Sequence, residues 1–418
     1  MPFDLIEDSK VLWNYFTVTL AYWAFTLTDG AIRMLVVLYF YQLGYSPFQI
    51  AMLFLFYELF GVITNFVGGW VASRFGLNQT MQFGMLLQVF ALAMLAVPTA
   101  WLGVAYVMFA QALSGIAKDL NKMSAKASVK LMLPDEAQGS LFKLVSFLTG
   151  SKNALKGVGF FLGGLLLHLF GFQTALLILA ASLFAVYVLT VILLPKELGK
   201  TKDKVKFKHL FSRNRAINTL AAARVFLFAA RDVWFVVALP VYFSAVLGWN
   251  FSEVGAFFAF WVVGYGIIQS GAPRIIRWGI ASHLQQNWSP SGATARLWAF
   301  ILFVEIVVMS VLLQQGHYPE QVIVVGLIVF AFIFAMNSAV HSFLILSYSS
   351  HENVATDVGF YYMANATGRL AGTVLSGGVY QVWGLVGCLW WSAAFVLLTT
   401  LLSSGLPQQK QVVNTSTA

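Results

Sequence analysis

Twelve ionisable side chains fall inside otherwise apolar stretches of this sequence, and they are the residues best able to do chemistry. Eight are basic and four are acidic, which leaves a surplus of four positive charges. A charged side chain in mid-membrane costs at least about 2.5 kcal/mol, so it is retained where it faces water, a partner or a ligand. The set predicts a polar path that binds anions. Its members are Arg33, Lys118, Lys122, Lys152, Lys156, Arg224, Arg231, Arg369, Asp29, Glu58, Asp119 and Asp232.

The lysines form two rows with helical spacing. The rows are Lys118, Lys122, Lys126 and Lys130, and then Lys152 and Lys156. Like charges at intervals of four residues repel on a helix, so helix stability does not explain them. We expect Lys126 and Lys130 to lie in solvent. For Lys118 and Lys122 a cavity position and a solvated helix end both fit, whereas Lys152 and Lys156 lie deep in an apolar stretch and favour anion binding.

Three arginines add planar groups that suit oxyanions. Arg224 and Arg231 are seven residues apart on one stripe, and Arg369 lies among small residues. A guanidinium binds a phosphate-like oxyanion through two parallel hydrogen bonds. Arg231 and Arg369 are the better candidates, because Arg224 lies nearer a helix end and can extend to the membrane surface. Asp232 follows Arg231 but should point elsewhere on the helix.

The carboxylates have two interpretations. Asp29 and Arg33 are four residues apart, so they predict an internal ion pair or a pair that opens for an anion. Glu58, Asp119 and Asp232 also fit either internal ion pairs or coupling to an ion gradient, since a buried carboxyl can take up a proton near neutral pH.

Motifs for other chemistry are missing from the sequence. There is no GxxxxGK[ST] phosphate loop and no HExxH zinc motif. A single cysteine, Cys388, forms neither a disulfide framework nor a multi-cysteine metal site. His341 fits a polar residue with satisfied hydrogen bonds better than a proton relay. We therefore predict no catalytic residue, metal or cofactor, and hence no enzyme.

The elements that position these residues follow from composition. Of 418 residues, 59% are hydrophobic and 10% are charged, which excludes a large water-soluble domain. A spanning helix uses about 20 apolar residues, so the chain holds about twelve spans. We predict an all-α multipass membrane protein with twelve transmembrane helices. They cover residues 12–41, 47–73, 79–97, 101–122, 141–170, 174–194, 216–247, 251–278, 297–314, 321–349, 357–383 and 385–404.

Basic residues are concentrated in alternate loops, including Arg74, Arg274 and Arg277. The longest such loop, residues 195–215, has eight Lys or Arg. It fits a topogenic loop, with a lipid or partner contact as the alternative. The positive-inside rule places both termini in the cytoplasm. Because the Lys and Arg residues of the loops lie almost entirely on that side of the membrane, the net charge of +9 does not require a nucleic acid partner. The predicted domains are a six-helix bundle at 1–194, a basic linker at 195–215 and a second bundle at 216–418.

The two bundles resemble each other in the same direction. Asp29 and Asp232 are 203 residues apart, as are the segments that end in Arg74 and Arg277. A parallel repeat of six helices, related by a pseudo-twofold, is found in major facilitator transporters. Helices 5 and 11 each carry a GxxxG pair, which allows close helix approach and suggests packing across the pseudo-twofold. The four helices with few or no charges, the third, sixth, ninth and twelfth, should face lipid.

The segment GGWVASRFGLNQ resembles the loop between helices 2 and 3 of the major facilitator superfamily. Gly69, Arg74 and Gly76 match its gating pattern, and Arg277 and Gly279 repeat part of it. Ser73 stands where that family usually has Asp, which weakens the match to a gating latch. Arg74 therefore fits either of two roles: part of a gating latch, or the end of a helix from which the arginine extends to the lipid headgroups.

Longer blocks resemble the organoarsenical efflux permeases (ArsJ type) of this superfamily. They are residues 14–70, ALSGIAKDLNKMSAKASVKLMLP, LVSFLTGSKNALKGVGFFLGG and YYMANATGRLAG. The resemblance implies the major facilitator fold and export of 1-arseno-3-phosphoglycerate across the bacterial inner membrane, which confers arsenate resistance. It also implies glyceraldehyde-3-phosphate dehydrogenase as a functional partner, since that enzyme makes the ester from arsenate. The alternatives are transport of another organophosphate, export of a drug, and a membrane sensor that transports nothing.

Overall fold

The computed structural model describes residues 9–45, 50, 52–134, 137–195, 198, 214–235, 238–249, 251–278 and 289–408. Nearly all of these residues lie in helices. The helices are α1 Ser9–Gln42, α2 Leu55–Phe75, α3 Leu77–Leu95, α4 Val104–Leu131, α5 Gln138–Phe170, α6 Phe172–Leu193, α7 Arg215–Phe235, α8 Ala238–Ala245, α9 Phe251–Arg277, α10 Gly292–Gln314, α11 Pro319–Tyr348 and α12 Val354–Ser403.

The predicted multipass architecture is confirmed. Nine segments of the described chain are long and apolar enough to cross a membrane, with α7 and α8 counted as one. Helix α12 has 50 residues, about 75 Å at 1.5 Å per residue, so it supplies two spans. The second arm of α12 and two less apolar helices bring the number of spans to twelve. The two helices are α3, whose first half carries Asn and Gln, and α4, which carries four lysines.

Single glycines join consecutive helices at three places. Gly384 divides α12 into two arms with φ of 62°, which confirms the predicted break between residues 383 and 385. Gly171 joins α5 to α6 with φ of 74°, and Gly76 joins α2 to α3 with φ of 95°. A side chain is disfavoured at positive φ, so glycine permits the chain to reverse within one residue.

The two GxxxG pairs pack inside the predicted bundles. A Cβ on Gly159 or Gly163 of α5 would collide with the backbone of α1, and a Cβ on Gly368 or Gly372 would collide with α7. The expectation of packing across the pseudo-twofold is therefore wrong, because each small-residue face meets the first helix of its own half of the sequence. Matched packing in both halves is consistent with the predicted repeat, whose limits stay a prediction.

The four helices predicted to face lipid carry exposed large apolar side chains, and α5 and α9 do so as well. Phe83 on α3, Ile192 on α6, Leu297 on α10 and Leu401 on the second arm of α12 are all exposed. With no water around a membrane core, such side chains are favourable at a lipid-facing surface.

One end of the helices is tightly closed. We call it the basic-side seal, because Arg74 of α2 and Arg274 and Arg277 of α9 lie at the same end of the helices. It comprises residues 124–130 of α4, 337–346 of α11 and 354–359 of α12, all buried. Phe142 of α5 packs on Phe343 of α11 at 5.3 Å between ring centroids. Gly69 of α2 lies against Ala355 of α12, where a Cβ would meet backbone. The early and late helices thus meet directly at this end.

Candidate functional site

Glu58 is the centre of the largest charge cluster. Its Oε1 accepts hydrogen bonds from Arg33 Nη2 at 2.7 Å and from Arg369 Nη2 at 3.2 Å. Its Oε2 lies 3.9 Å from Lys118 Nζ. About a third of the Glu58 and Arg369 side chains is exposed, although both lie within spans. One carboxylate therefore joins α1, α2 and α4 to the first arm of α12 in an accessible space.

Asp29 pairs with α5 instead of its own helix. Lys156 Nζ lies 3.7 Å from Asp29 Oδ2, and the Tyr57 hydroxyl donates to Asp29 Oδ1. The predicted Asp29 and Arg33 ion pair is not formed, because Arg33 extends to Glu58. Lys156 is consequently compensated, contrary to the expectation of two lysines without an acid.

Asp119 compensates two lysines of α4. It lies 3.7 Å from Lys118 Nζ and accepts a hydrogen bond from Lys122 Nζ. The Asp119 side chain is nearly buried, whereas Lys118 and Lys122 keep partial exposure. Both lysines therefore line the accessible cluster, which supports the cavity interpretation.

Asp232 forms the equivalent centre on α7. Arg231 donates from Nε to Asp232 Oδ1 at 2.6 Å, and Arg369 donates from Nε to Asp232 Oδ2 at 3.2 Å. The expectation that Asp232 points away from Arg231 is wrong, because the long arginine side chain folds back along the helix to its neighbour. Arg369 thus connects the Asp232 pair to Glu58.

Lys152 is the exception in this cluster. Its ammonium contacts Asn153 Oδ1 at 3.3 Å and, within the described part of the chain, forms no ion pair with a carboxylate. Asn153 donates to Gln269 Oε1 at 2.6 Å, so α5 and α9 meet here through neutral groups. The positive charge of Lys152 is therefore available to a ligand.

The cluster is paired but not neutral. The predicted set of eight cations and four carboxylates has a surplus of four; without Arg224, which is buried beside Ser338 toward the seal, the cluster around Glu58 keeps a surplus of three. Most of these cations have a carboxylate partner, as the ion-pair interpretation of the four acids predicted. A ligand with several negative charges can still bind favourably, because the surplus is distributed over side chains that remain partly accessible.

Arg224 and two lysines of α4 are placed differently from the prediction. Arg224 is only 3% exposed and donates to Asn365 Oδ1 at 2.9 Å, so it does not extend to the membrane surface. Lys126 and Lys130 are 3% and 1% exposed, so they are not solvated. The prediction ended the helix at residue 122, whereas α4 continues to Leu131 inside the basic-side seal.

The predicted gating residues lie at the seal. Gly76 provides the positive φ expected of this turn, and the exposed Arg74 stacks on Trp70 at 4.5 Å. Arg277 is buried and donates to the Gly139 carbonyl of α5 at 3.4 Å. Gly279 lies outside the described residues. The two equivalent arginines thus differ, since only Arg277 is shown to contact the other half of the sequence.

Aromatic rings are the part of the site that sequence reasoning missed. Tyr57 lies under Arg33 at 4.2 Å and Lys118 at 3.9 Å, and Phe228 lies between Arg224 and Arg231. Rings attract cations through their negative faces, which lowers the cost of holding these charges in the membrane. A tyrosine directly before Glu58 was the available signal. Among the described residues, no three His, Cys, Asp or Glu side chains are grouped to hold a metal ion.

Several solved structures share this fold at low sequence identity. A bacterial homologue of the iron transporter ferroportin in an outward-facing state is 17% identical, with a TM-score of 0.74 over 93% of this chain and 98% of that one. The human organic anion transporter MFSD10 (TETRAN) is 15% identical, with a TM-score of 0.71 over 95% and 100%. The transporter FucP in the outward conformation is 11% identical, with a TM-score of 0.72 over 96% and 100%.

No curated protein matches this chain in sequence. The family model of the Major Facilitator Superfamily matches residues 18–339, more than three quarters of the chain. That family consists of transporters rather than enzymes. The chain therefore belongs to the major facilitator superfamily and is a secondary active multipass membrane transporter.

Proposed function

We propose that this transporter exports a small multivalent organic oxyanion, 1-arseno-3-phosphoglycerate, as an organoarsenical efflux permease of the ArsJ type. The observation that carries the proposal is the positive surplus of the central cluster, which comprises the residues ion-paired around Glu58, Asp29, Asp119 and Asp232 together with Lys152. Its seven cations outnumber its four carboxylates by three, and Lys152 has no carboxylate partner among the described residues. A solute with a phosphate and an arsenate group brings the opposite charge. A lipophilic cation would be repelled by the same cluster.

Each cation has a role in this proposal. Lys152 and Lys156 bind one oxyanion group on the α5 side, and Arg231 and Arg369 bind the other through guanidinium forks. Arg33, Lys118 and Lys122 of the first bundle attract the anionic solute electrostatically without binding it directly, and Arg224 of the second bundle does the same. The carboxylates Asp29, Glu58, Asp119 and Asp232 hold these cations in place when no solute is bound, and one of them couples transport to an ion gradient.

The proposal includes alternating access between the predicted bundles, residues 1–194 and 216–418, joined by the linker at 195–215. With both termini in the cytoplasm of a bacterium, the basic-side seal faces the cytoplasm and the described state is closed to it. The seal opens to load solute, and the gating residues Gly69, Arg74, Gly76, Arg277 and Gly279 accompany that movement. Glyceraldehyde-3-phosphate dehydrogenase supplies the solute by accepting arsenate in place of phosphate.

The sequence blocks similar to the arsenical permeases, including those around Lys152 and Arg369, add support independent of charge. The shared fold of a human organic anion transporter is consistent with anion cargo.

Transport into everted membrane vesicles tests the proposal. The dehydrogenase, its triose phosphate substrate, its cofactor and arsenate are supplied outside, and arsenic retained inside is counted. We expect uptake that requires every component and falls at least tenfold when Lys152 and Lys156 are both replaced by Gln. Lys143→Gln, on the same helix but outside the central cluster, is the matched control and should keep wild-type uptake.

Other results would assign another function. Uptake of 3-phosphoglycerate without any preference for the arsenylated ester would indicate an organophosphate transporter. Uptake of lipophilic drugs would indicate a drug exporter. No flux of any solute by membranes that contain the folded protein would indicate a sensor. Equal uptake by the double Gln variant and the wild type would refute the assigned site.

A further inference from the structure

Two buried cations lie beside the same helix at the basic-side seal. Lys126 Nζ of α4 contacts Ser342 Oγ of α11 at 3.4 Å, and Arg224 Nη1 of α7 contacts Ser338 Oγ at 3.4 Å. Ser338 and Ser342 are one helical turn apart, a rise of about 6 Å. Lys126 and Arg224 come from opposite halves of the sequence, so opening of the seal would separate them.

Neither cation has a carboxylate partner in the described part of the chain. Their contacts are neutral: Lys126 lies 5.2 Å from the Tyr362 ring, and Arg224 lies 4.0 Å from the Phe228 ring and bonds to Asn365. Each cation is only 3% exposed. This differs from the central cluster, where carboxylates compensate most of the cations.

Unsatisfied polar atoms lie on the same stretch of α11. His341 immediately precedes Ser342, is fully buried, and has no hydrogen-bond partner among the described residues at either ring nitrogen. Asn337 immediately precedes Ser338, is equally buried, and within the same described ranges has no partner at its amide oxygen or nitrogen. Buried polar atoms without partners are rare in folded proteins, and each lost interaction is costly. This stretch of α11 therefore has hydrogen-bonding capacity that the surrounding described protein does not use.

We propose a second oxyanion site here, in which a phosphate or arsenate group of the cargo binds between Lys126 and Arg224. Ser338, Ser342 and the ring of His341 are placed to complete its hydrogen bonds. The inference rests on the proposed function and adds a loading site on the cytoplasmic side of the central cluster. Two like charges across the seal oppose its closure, and an oxyanion between them removes that repulsion. Arrival of cargo would thus promote closure behind it.

Cysteine protection tests the site independently of transport. Cys388, the single cysteine, is first replaced by Ala. Ser342→Cys in the proposed site is called the seal reporter, and Ser151→Cys, beside Lys152 in the central cluster, is called the central reporter. Everted vesicles that carry one reporter are treated with an anionic thiol reagent and increasing 3-phosphoglycerate. We expect 3-phosphoglycerate to slow labelling of both reporters.

Lys126 variants then separate the two sites. We expect Lys126→Gln to raise, by at least fivefold, the 3-phosphoglycerate concentration at which the seal reporter is half-protected. The concentration that half-protects the central reporter should change less than twofold. Lys126→Arg, which retains the charge, should restore protection of the seal reporter. Normal protection of the central reporter in each variant shows that the protein is folded.

Three results would overturn the inference. Protection of the central reporter alone would leave the central cluster as the binding site and preserve the proposed function. An equal shift for both reporters in Lys126→Gln, or a shift for neither, would mean that Lys126 forms no separate site. Absence of protection of both reporters would overturn this inference, and uptake of the arsenylated ester into everted vesicles would then decide the proposed function separately.

Discussion

The central cluster and the basic-side seal hold their positive charges in different ways. In the centre, the single carboxylate of Glu58 contacts three cations, Arg33, Lys118 and Arg369, and all four side chains remain partly exposed. At the seal, Lys126 and Arg224 are almost fully buried and contact hydroxyls, an amide and aromatic rings.

The comparison distinguishes cations that are held by a carboxylate from cations whose charge can attract an anionic ligand. An internal ion pair lowers the cost of a cation in the membrane, but a ligand must then compete with the carboxylate. Two like charges without a carboxylate between them repel, and more strongly when they are buried. An anion that enters between Lys126 and Arg224 displaces no carboxylate paired with either cation in the described part of the chain, whereas one that enters the centre must displace or share partners.

Removal of the shared carboxylate should have the largest effect on the centre. Glu58→Gln leaves Arg33, Lys118 and Arg369 without their common partner. We expect transport into everted vesicles to fall by about a hundredfold, because three cations lose the carboxylate that positions them and are left to repel one another. The matched control is Glu305→Gln on α10, outside this cluster, which should transport within about twofold of wild type. Equal transport by both variants would show that the centre does not depend on Glu58.

The bridging arginine should have the next largest effect. Arg369 bonds to Asp232 through Nε and to Glu58 through Nη2, both at 3.2 Å, and lysine cannot make both contacts. We expect about a tenfold loss of transport for Arg369→Gln and an intermediate loss for Arg369→Lys. Arg296→Gln, at an exposed position on α10, is the control. Full activity of the lysine variant would show that charge alone suffices.

Lysines on α5 separate binding from stability. Lys152 has no ion pair among the described residues, so Lys152→Gln should raise the KM for transport about fivefold and shift the Tm of the purified protein by less than about 2 °C. Lys156→Gln leaves Asp29 without its lysine partner and should lower Tm by more. Transport kinetics and thermal unfolding in detergent measure the two effects. A larger Tm loss for Lys152→Gln would reverse the assignment.

A close packing contact tests the seal with the smallest expected effect. A methyl group on Gly69 would meet the backbone of Ala355 and Thr356, whereas one on Gly68 would meet the flexible side chains of Leu120 and Met123. We expect Gly69→Ala to increase labelling of the seal reporter from the basic side about two- to threefold, because the seal closes less often. Gly68→Ala should leave the labelling rate unchanged. Slower labelling in Gly69→Ala would contradict this packing.

Much of the fold was predictable because apolar runs and glycines are local signals. The break at Gly384 and the turn at Gly76 follow from residues at those positions. The end of α4 was not predictable in this way: its lysines lower the hydropathy after residue 122, yet packing of other helices around them keeps the segment helical to Leu131.

The site was predictable in composition but not in pairing. Charges in apolar stretches identified the members of the central cluster. Their partners depend on helices far apart in sequence, as Glu58 and Arg369 are separated by 311 residues. The burial of Lys126 likewise follows from its contact with Ser342, 216 residues away, for which the sequence carries no local signal.

The one-residue turns at Gly171 and Gly384 have a practical consequence. Both lie at the end of the helices opposite the seal and expose almost no backbone beyond the helix ends. A protease or an antibody fragment applied to that face should therefore find no extended loop to bind at either turn. Reagents for structure determination or inhibition therefore need a feature of that face other than these two turns to recognise.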